Sequence, residues 1–251
     1  MSTTALSAQV VPGMPEVLPG AALAEVITDV AAGAGVAIGR GDVVVLSQKI
    51  VSKAEGRLVA LDDVSVSGRA RQMAERLHKD PRLVQVILDE SVEVLRAERG
   101  VLITRTRQGL VCANAGVDQS NVPGDDVVCL LPEDPDKSAR TVRVQLANGA
   151  AVVVADSFGR AWRLGQADVA IGCAGLTPLD DRRGTKDAEG RELTATVEAI
   201  ADQAASAAAL VRDKAGRESV VVVRGLERFV TEGDGPGAAA IVRPVDEDLF
   251  R

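Results

Sequence analysis

Four polar, glycine-containing segments hold most of the side chains in this chain that could do chemistry. Ser52-Lys53-Ala54-Glu55-Gly56-Arg57 offers a lysine as a mobile point charge for phosphate, beside a glycine that lets the backbone approach closely. It is not a Walker A loop, since no Gly-x-x-x-x-Gly-Lys pattern is present. Asn114-Ala115-Gly116-Val117-Asp118-Gln119-Ser120-Asn121 brings one carboxylate together with amides and a hydroxyl. That donor set suits a hard cation such as Mg²⁺ or Mn²⁺ held with nucleotide phosphates. An Asx-turn that serves only its own backbone uses the same residues, and both readings stand. Asp156-Ser157-Phe158-Gly159-Arg160 follows a run of Ala and Val. A carboxylate there is costly to bury unless it binds a metal or pairs with an arginine such as Arg160 or Arg163. The fourth segment, Lys186-Asp187-Ala188-Glu189-Gly190-Arg191-Glu192-Leu193, reads as a solvated charge run.

Such a set of lysines, arginines and carboxylates suits metal-assisted phosphoryl transfer, in which positioning and charge neutralisation supply most of the catalysis. Histidine and cysteine chemistry is scarce. His78 is the single histidine, so a two-histidine zinc site is excluded and a Ser-His-Asp triad would have to use that residue. Cys112 falls inside an expected strand, and no GxGxxG fingerprint is present.

The elements that must position these groups are legible as hydrophobic pattern. Pro12, Gly13, Pro15, Pro19 and Gly20 mark an extended entry into a helix near 21–32. Val43–Leu46, Ala151–Ala155, Val169–Cys173 and Ser219–Val223 are continuous apolar runs and read as buried strands. Ile50-Val51 is a short apolar step. Helical spacing covers Ser67–Leu77, Arg82–Arg96 after Asp80-Pro81, a stretch ending near Leu146, and Val197–Val211. Val101–Arg105 and Gly109–Asn114 read as a hairpin. The strand that carries Ala151–Ala155 is expected to end in the polar segment at Asp156. This mixture predicts a mixed α/β (α+β) fold, one domain over 1–251, with a Pro/Asp connector near 132–138 as the place where two lobes would divide.

Composition excludes several functions. The chain has 251 residues, and 46% are hydrophobic, so a sizeable core is available. Acidic residues number 36 against 29 basic, a net charge of −7 that argues against a nucleic-acid partner. Three Phe, one Trp and no Tyr leave no base-stacking platform. Cys112, Cys129 and Cys173 are odd in number and form no Cys-x-x-Cys, as expected of buried thiols in a reducing compartment. No apolar run is long enough for a membrane span, and the N-terminus lacks a signal-peptide pattern. A cytoplasmic protein without a membrane partner is expected.

Taken in order, the first three segments, Leu131-Pro132-Glu133-Asp134-Pro135-Asp136, Asp187–Leu193 and Val222-Val223-Arg224-Gly225 resemble the CofE family, the coenzyme F420-0:L-glutamate ligases. The resemblance runs from about Val11 to Gly225. It implies a CofE-like fold of two intimately associated lobes. It also implies GTP-dependent addition of L-glutamate, one or several, to the lactyl-phosphate carboxylate of coenzyme F420-0 through an acyl phosphate. Two divalent cations, Mg²⁺ or Mn²⁺, with K⁺ as a further cation, and a homodimer are implied as well.

Carried onto this sequence, the family pattern makes Asp118 and Asp156 first-metal ligands, and Ser157 and Asp213 ligands of a second metal. Asn121 matches a nucleotide contact and Lys53 the phosphate-reaching lysine; Lys53, Asp118 and Asp156 form the implied catalytic set. Pro12, Gly13, Met14 and Pro15 match an N-terminal nucleotide loop. The chain departs from the pattern in three places, one of them Asp180-Asp181-Arg182-Arg183 in place of a less charged stretch. Gln48-Lys49 stands where the family often has Ser-Thr or Ser-Lys, and the resemblance implies that these two residues contact the nucleotide. Arg212-Asp213-Lys214-Ala215-Gly216-Arg217-Glu218 replaces a glycine-rich loop. Two other readings are a diverged ligase with another acceptor acid or amine, and a non-catalytic protein that binds nucleotide or deazaflavin.

Overall fold

The computed structural model describes residues 5–146, 148–213 and 215–248. In chain order the strands are β1 (Ser7–Val10), β2 (Val43–Ser47), β3 (Leu58–Ala60), β4 (Ser91–Glu98), β5 (Val101–Thr106) and β6 (Val111–Ala113). They continue with β7 (Val127–Cys129), β8 (Ala151–Arg160), β9 (Arg163–Ala174), β10 (Leu179–Asp181), β11 (Val197–Ala199) and β12 (Val220–Arg224). The helices are α1 (Leu23–Gly33), α2 (Gln48–Ala54), α3 (Gly68–Leu77), α4 (Pro81–Asp89), α5 (Pro135–Leu146) and α6 (Ile200–Val211). The mixed α/β class read from the sequence is the class the chain adopts.

The main sheet has the order β1-β12-β2-β8-β9, with β2 and β8 parallel and the other pairs antiparallel. Its central strands are valine runs because both faces are covered. Val44, Leu46, Val152, Val154, Val220 and Val222 pack with residues of α1, α2 and α5. The alternate positions Val43, Val45, Val153, Val221 and Val223 pack on the small-residue face of α6, which carries Ala201, Ala204, Ala205 and Ala208. A second core gathers Leu61, Ala70, Leu77, Val84, Ile87, Leu102, Ala115, Val128 and Leu130 around α3, α4 and β5. Leu130 belongs to this core and Leu131 to the first, so the chain passes between them at one peptide bond.

Local chemistry fixes the ends of these elements. The Ser67 hydroxyl accepts the Ala70 N–H to cap α3, and Asp80 accepts the Arg82 N–H to cap α4 with Pro81 in its first turn. Helix α4 stops at Asp89, which corrects the expected helix over 82–96. Ser91–Glu98 is strand β4, paired with β5 through Arg99-Gly100, whose φ values of 52° and 75° make a two-residue hairpin turn. Ile50-Val51 lies in α2 rather than in a separate step, and Val197–Ala199 pairs with β10 before α6 begins. Strand β8 does not end at Asp156. It runs on to Arg160, because β9 continues the antiparallel ladder beside it: Asp156 faces Val169 and Ser157 faces Asp168.

Helix α5 lies so close to β9 that a Cβ on Gly172 would sit 2.3 Å from the Pro135 carbonyl carbon and oxygen. That atom is backbone at the start of a helix and cannot swing aside. Gly172→Ala is therefore expected to destabilise the protein by about 1–3 kcal/mol, read as a lower urea midpoint with an unchanged slope. An unchanged midpoint would show that α5 can move off the sheet.

Candidate functional site

A cavity of 680 Å³ opens where β2, β8 and β9 give way to α2, to the loop after β6 and to the loop before β12. Its position follows from the parallel pair at the heart of the sheet: Ser47 faces Ala155 in the β2/β8 register, and both lie in the cavity wall just ahead of the site residues.

Helix α2 starts at Gln48, directly after β2, and so carries Lys49 and Lys53 on one face, four residues apart. Both line the cavity. The Lys49 ammonium lies 2.8 Å from the Asp118 carboxylate and donates to the Ser120 carbonyl and hydroxyl. Lys53, buried, donates to Glu16 at 2.5 Å and to the Asn121 carbonyl at 2.7 Å. The two lysines thus tie the N-terminal segment and the 114–121 loop to the end of β2. Gln48 is buried instead, accepting the Ser52 hydroxyl, and is not among the cavity-lining residues.

The loop that carries Asp118 is bent sharply. Asn114, Ala115 and Gly116 all have positive φ, at 54°, 54° and 71°, which is costly for the first two. Gly116 is required for space as well, since a Cβ there would meet the Leu131 side chain at 2.6 Å. The Asn114 amide oxygen is buried in this bend, without a hydrogen-bond partner among the described residues, and the residue lines the cavity. Asp118 accepts both the N–H and the hydroxyl of Ser120, so an Asx-turn is present. Burial works against its charge, but the Lys49 ammonium and the Ser120 donors outweigh that, and its pKa is held below the ordinary value.

Asp156 and Ser157 lie where β8 leaves the sheet core. No ion pair joins Asp156 to Arg160 or Arg163; the Arg160 guanidinium donates to the Leu164 carbonyl instead. Burial pushes the Asp156 carboxyl up to about 7, opposed by the Ser157 N–H and reinforced by the charge of Asp118. The Ser157 hydroxyl donates to Asp168 at 2.5 Å, and the other Asp168 oxygen holds Arg212 at 3.2 Å. Burial pushes the Cys112 thiol up to about 12, so it is no nucleophile at neutral pH.

Of the residues singled out from the sequence, Pro15, Lys49, Lys53, Asp118, Asn121, Asp156, Ser157 and Asp213 share this cavity wall. Gln48 and the Pro12-Gly13-Met14 turn do not reach it, and Met14 is part of the core beneath. Asp213 turns its carboxylate to the Ala215 N–H. Lys214 lies outside the described residues. His78 caps α3 in a left-handed conformation and is not in the cavity wall. Glu16, Asp168 and Arg212 also line the wall, as does Asn114 of the 114–121 segment. Sequence reading missed Glu16, Asp168 and Arg212 as site residues because each is defined by a partner distant in the chain.

Among the described residues no group of three or more His, Cys, Asp or Glu side chains is placed to hold a metal ion alone. Asp118 and Asp156 still fit one divalent cation. They are two carboxylates in one cavity, the charge of Asp118 adds to the cost of ionising Asp156, and oxygens of a substrate would complete the shell.

Known proteins are similar to this chain over most of its length. The family model for F420-0:Gamma-glutamyl ligase matches residues 13–225. The chain is similar to the Coenzyme F420:L-glutamate ligase of Methanopyrus kandleri, 44% identical over 242 residues and 94% of each chain. The protein of that name from Methanothermobacter thermautotrophicus is 41% identical over 96% of this chain and 97% of its own. That from Halorubrum lacusprofundi is 44% identical over 96% and 94%.

Proposed function

Since the chain belongs to the F420-0:Gamma-glutamyl ligase family, we propose that it joins L-glutamate to coenzyme F420-0 at the expense of GTP. The observation that carries this reading is the convergence of Lys49, Lys53, Asp118, Asn121 and Asp156 on one cavity that can take a phosphate chain. A carboxylate oxygen of the acceptor attacks the γ-phosphorus, and GDP leaves. The glutamate amine then attacks the acyl phosphate carbon, loses a proton, and phosphate leaves. The chain's own part is to gather three anionic reactants. Lys53 and Lys49 now sit on Glu16, Asp118 and two loop carbonyls, partners that phosphate oxygens can replace. Asp118 and Asp156 would hold one Mg²⁺ or Mn²⁺, which when bound neutralises phosphate charge.

The reading is tested by incubating coenzyme F420-0 with the protein, L-glutamate, GTP and Mn²⁺ and weighing the product. One or more added glutamyl units, absent without metal, is the expected result. Addition to a different acid and none to coenzyme F420-0 would favour a diverged ligase; nucleotide binding without any product would favour a binding protein.

The implied homodimer has support in the β8–β9 ribbon, whose tip leaves Trp162 81% and Leu164 97% exposed. Apolar side chains so placed on a projecting hairpin suit a second copy of the chain. Leu164→Glu is expected to halve the mass seen in light scattering, and an unchanged dimer would move the interface elsewhere. Among the described residues no helix is long and apolar enough to cross a membrane.

A further inference from the structure

The second pair of implied metal ligands, Ser157 and Asp213, has a different environment from the first. The Ser157 hydroxyl is donated to Asp168, and the Asp213 carboxylate accepts a backbone N–H of its own loop. The Asp168 carboxylate, 4% exposed as a residue, already faces a cation, the Arg212 guanidinium. Arg212 lines the cavity, yet its side chain is only 9% exposed. One of its nitrogens holds Asp168 at 3.2 Å, while Nε and Nη2 are buried without a hydrogen-bond partner among the described residues. Burial works against the Arg212 charge and outweighs the support of Asp168 and Glu218, and the Glu218 carboxylate accepts the Asp213 N–H. Two unused donors on a buried guanidinium are expensive, and the group that satisfies them best is an oxyanion.

We propose that Arg212 takes the place of a second divalent cation, so that the site works with one metal ion, at Asp118 and Asp156, and one fixed guanidinium charge beside Ser157. This rests on the nucleotide-dependent reading above. The donor set at Ser157 and Asp213 does not fit a metal ion. A hydroxyl already committed to Asp168 and a single loop carboxylate, itself turned to a backbone N–H, would have to hold it beside a buried guanidinium. The same charge is well placed to bind a phosphate oxygen, with Asp168 fixing the plane of the guanidinium through a hydrogen bond.

The test counts Mn²⁺ by electron paramagnetic resonance on the whole protein with GDP, and measures GDP affinity calorimetrically at saturating Mn²⁺. One Mn²⁺ per chain without spin coupling is expected. Arg212→Met should weaken GDP binding by about tenfold or more, and Arg212→Lys should recover part of the loss. Because Arg212→Met strands the Asp168 charge, the double variant Asp168→Asn/Arg212→Met is measured beside it; it removes both charges and should show the same weakened binding in a stable protein. Two coupled Mn²⁺ ions in the wild type, or unchanged GDP affinity in both Arg212→Met proteins, would overturn the proposal. Wild-type protein that binds no Mn²⁺ overturns it together with the metal reading at Asp118 and Asp156. Wild-type protein that binds Mn²⁺ but no GDP overturns it together with the nucleotide reading.

Discussion

Asp156→Asn is expected to lower glutamate-dependent GTP turnover by about a thousandfold or more. The amide keeps the size and one oxygen of the carboxylate but removes its charge. Metal-ion stabilisation of phosphoryl transfer supplies several kcal/mol, and each 1.36 kcal/mol is about tenfold in rate. The effect should fall on turnover more than on folding, because Asp156 forms no ion pair with Arg160 or Arg163 and projects from a strand whose ladder does not depend on its side chain. GDP release followed in the presence of coenzyme F420-0 and L-glutamate gives the rate, and a thermal melt confirms that the variant is folded. Turnover within tenfold of wild type would remove Asp156 from the metal site.

The ease with which the site was legible in sequence tracks how local its geometry is. Lys49 and Lys53 stand four residues apart and share a helix face, although the helix itself read as a short apolar step. It is seven residues long, too short for a hydrophobic period to show against the valine run before it. The Asn114–Asn121 loop was legible because its shape is set by its own residues: left-handed Asn114 and Gly116, and an Asx-turn at Asp118. Arg212 was legible only as part of an altered loop. Its meaning depends on Asp168, forty-four positions earlier, and no spacing rule links them.

The errors in the fold have the same origin. The pattern Leu83, Val86, Ile87, Val94, Leu95 fits a helical period, yet Arg99-Gly100 turns the chain back on itself, and strand β5 then supplies a ladder partner that only an extended Ser91–Glu98 can use. Polar Asp156–Arg160 likewise reads as a loop. It is a strand because β9 runs beside it over its full length, and a backbone ladder is indifferent to side-chain polarity when the ribbon projects into solvent. That extension has a consequence for function. A strand holds Ser157 directly opposite Asp168, which a loop would not do.

The largest stability effect should come from the same carboxylate in the absence of metal. Burial, with the charge of Asp118 and a smaller contribution from Asp168, raises Asp156 to about 7 from an ordinary 3.8, while the Ser157 N–H and Lys49 oppose the shift. The folded state then holds a proton that the unfolded chain has already lost, so stability falls as pH rises from about 4 to 7 and levels off above that. A shift of that size corresponds to about 4 kcal/mol. The carboxylate opens onto the cavity rather than onto packed core, so about 2–4 kcal/mol is the expected cost at pH 8. Metal-free Asp156→Asn should therefore melt about 5–10 °C above metal-free wild type at pH 8, and nearly with it at pH 4. Asp118, whose pKa is lowered, contributes the opposite pH dependence in both proteins and drops out of the comparison. Adding Mn²⁺ at pH 8 should raise the wild type and leave the variant where it is, because the cation offsets the cost of the buried charge, which the amide removes permanently. An equal gain at both pH values, or Mn²⁺ stabilising both proteins alike, would mean that the cost of Asp156 lies in packing and not in charge.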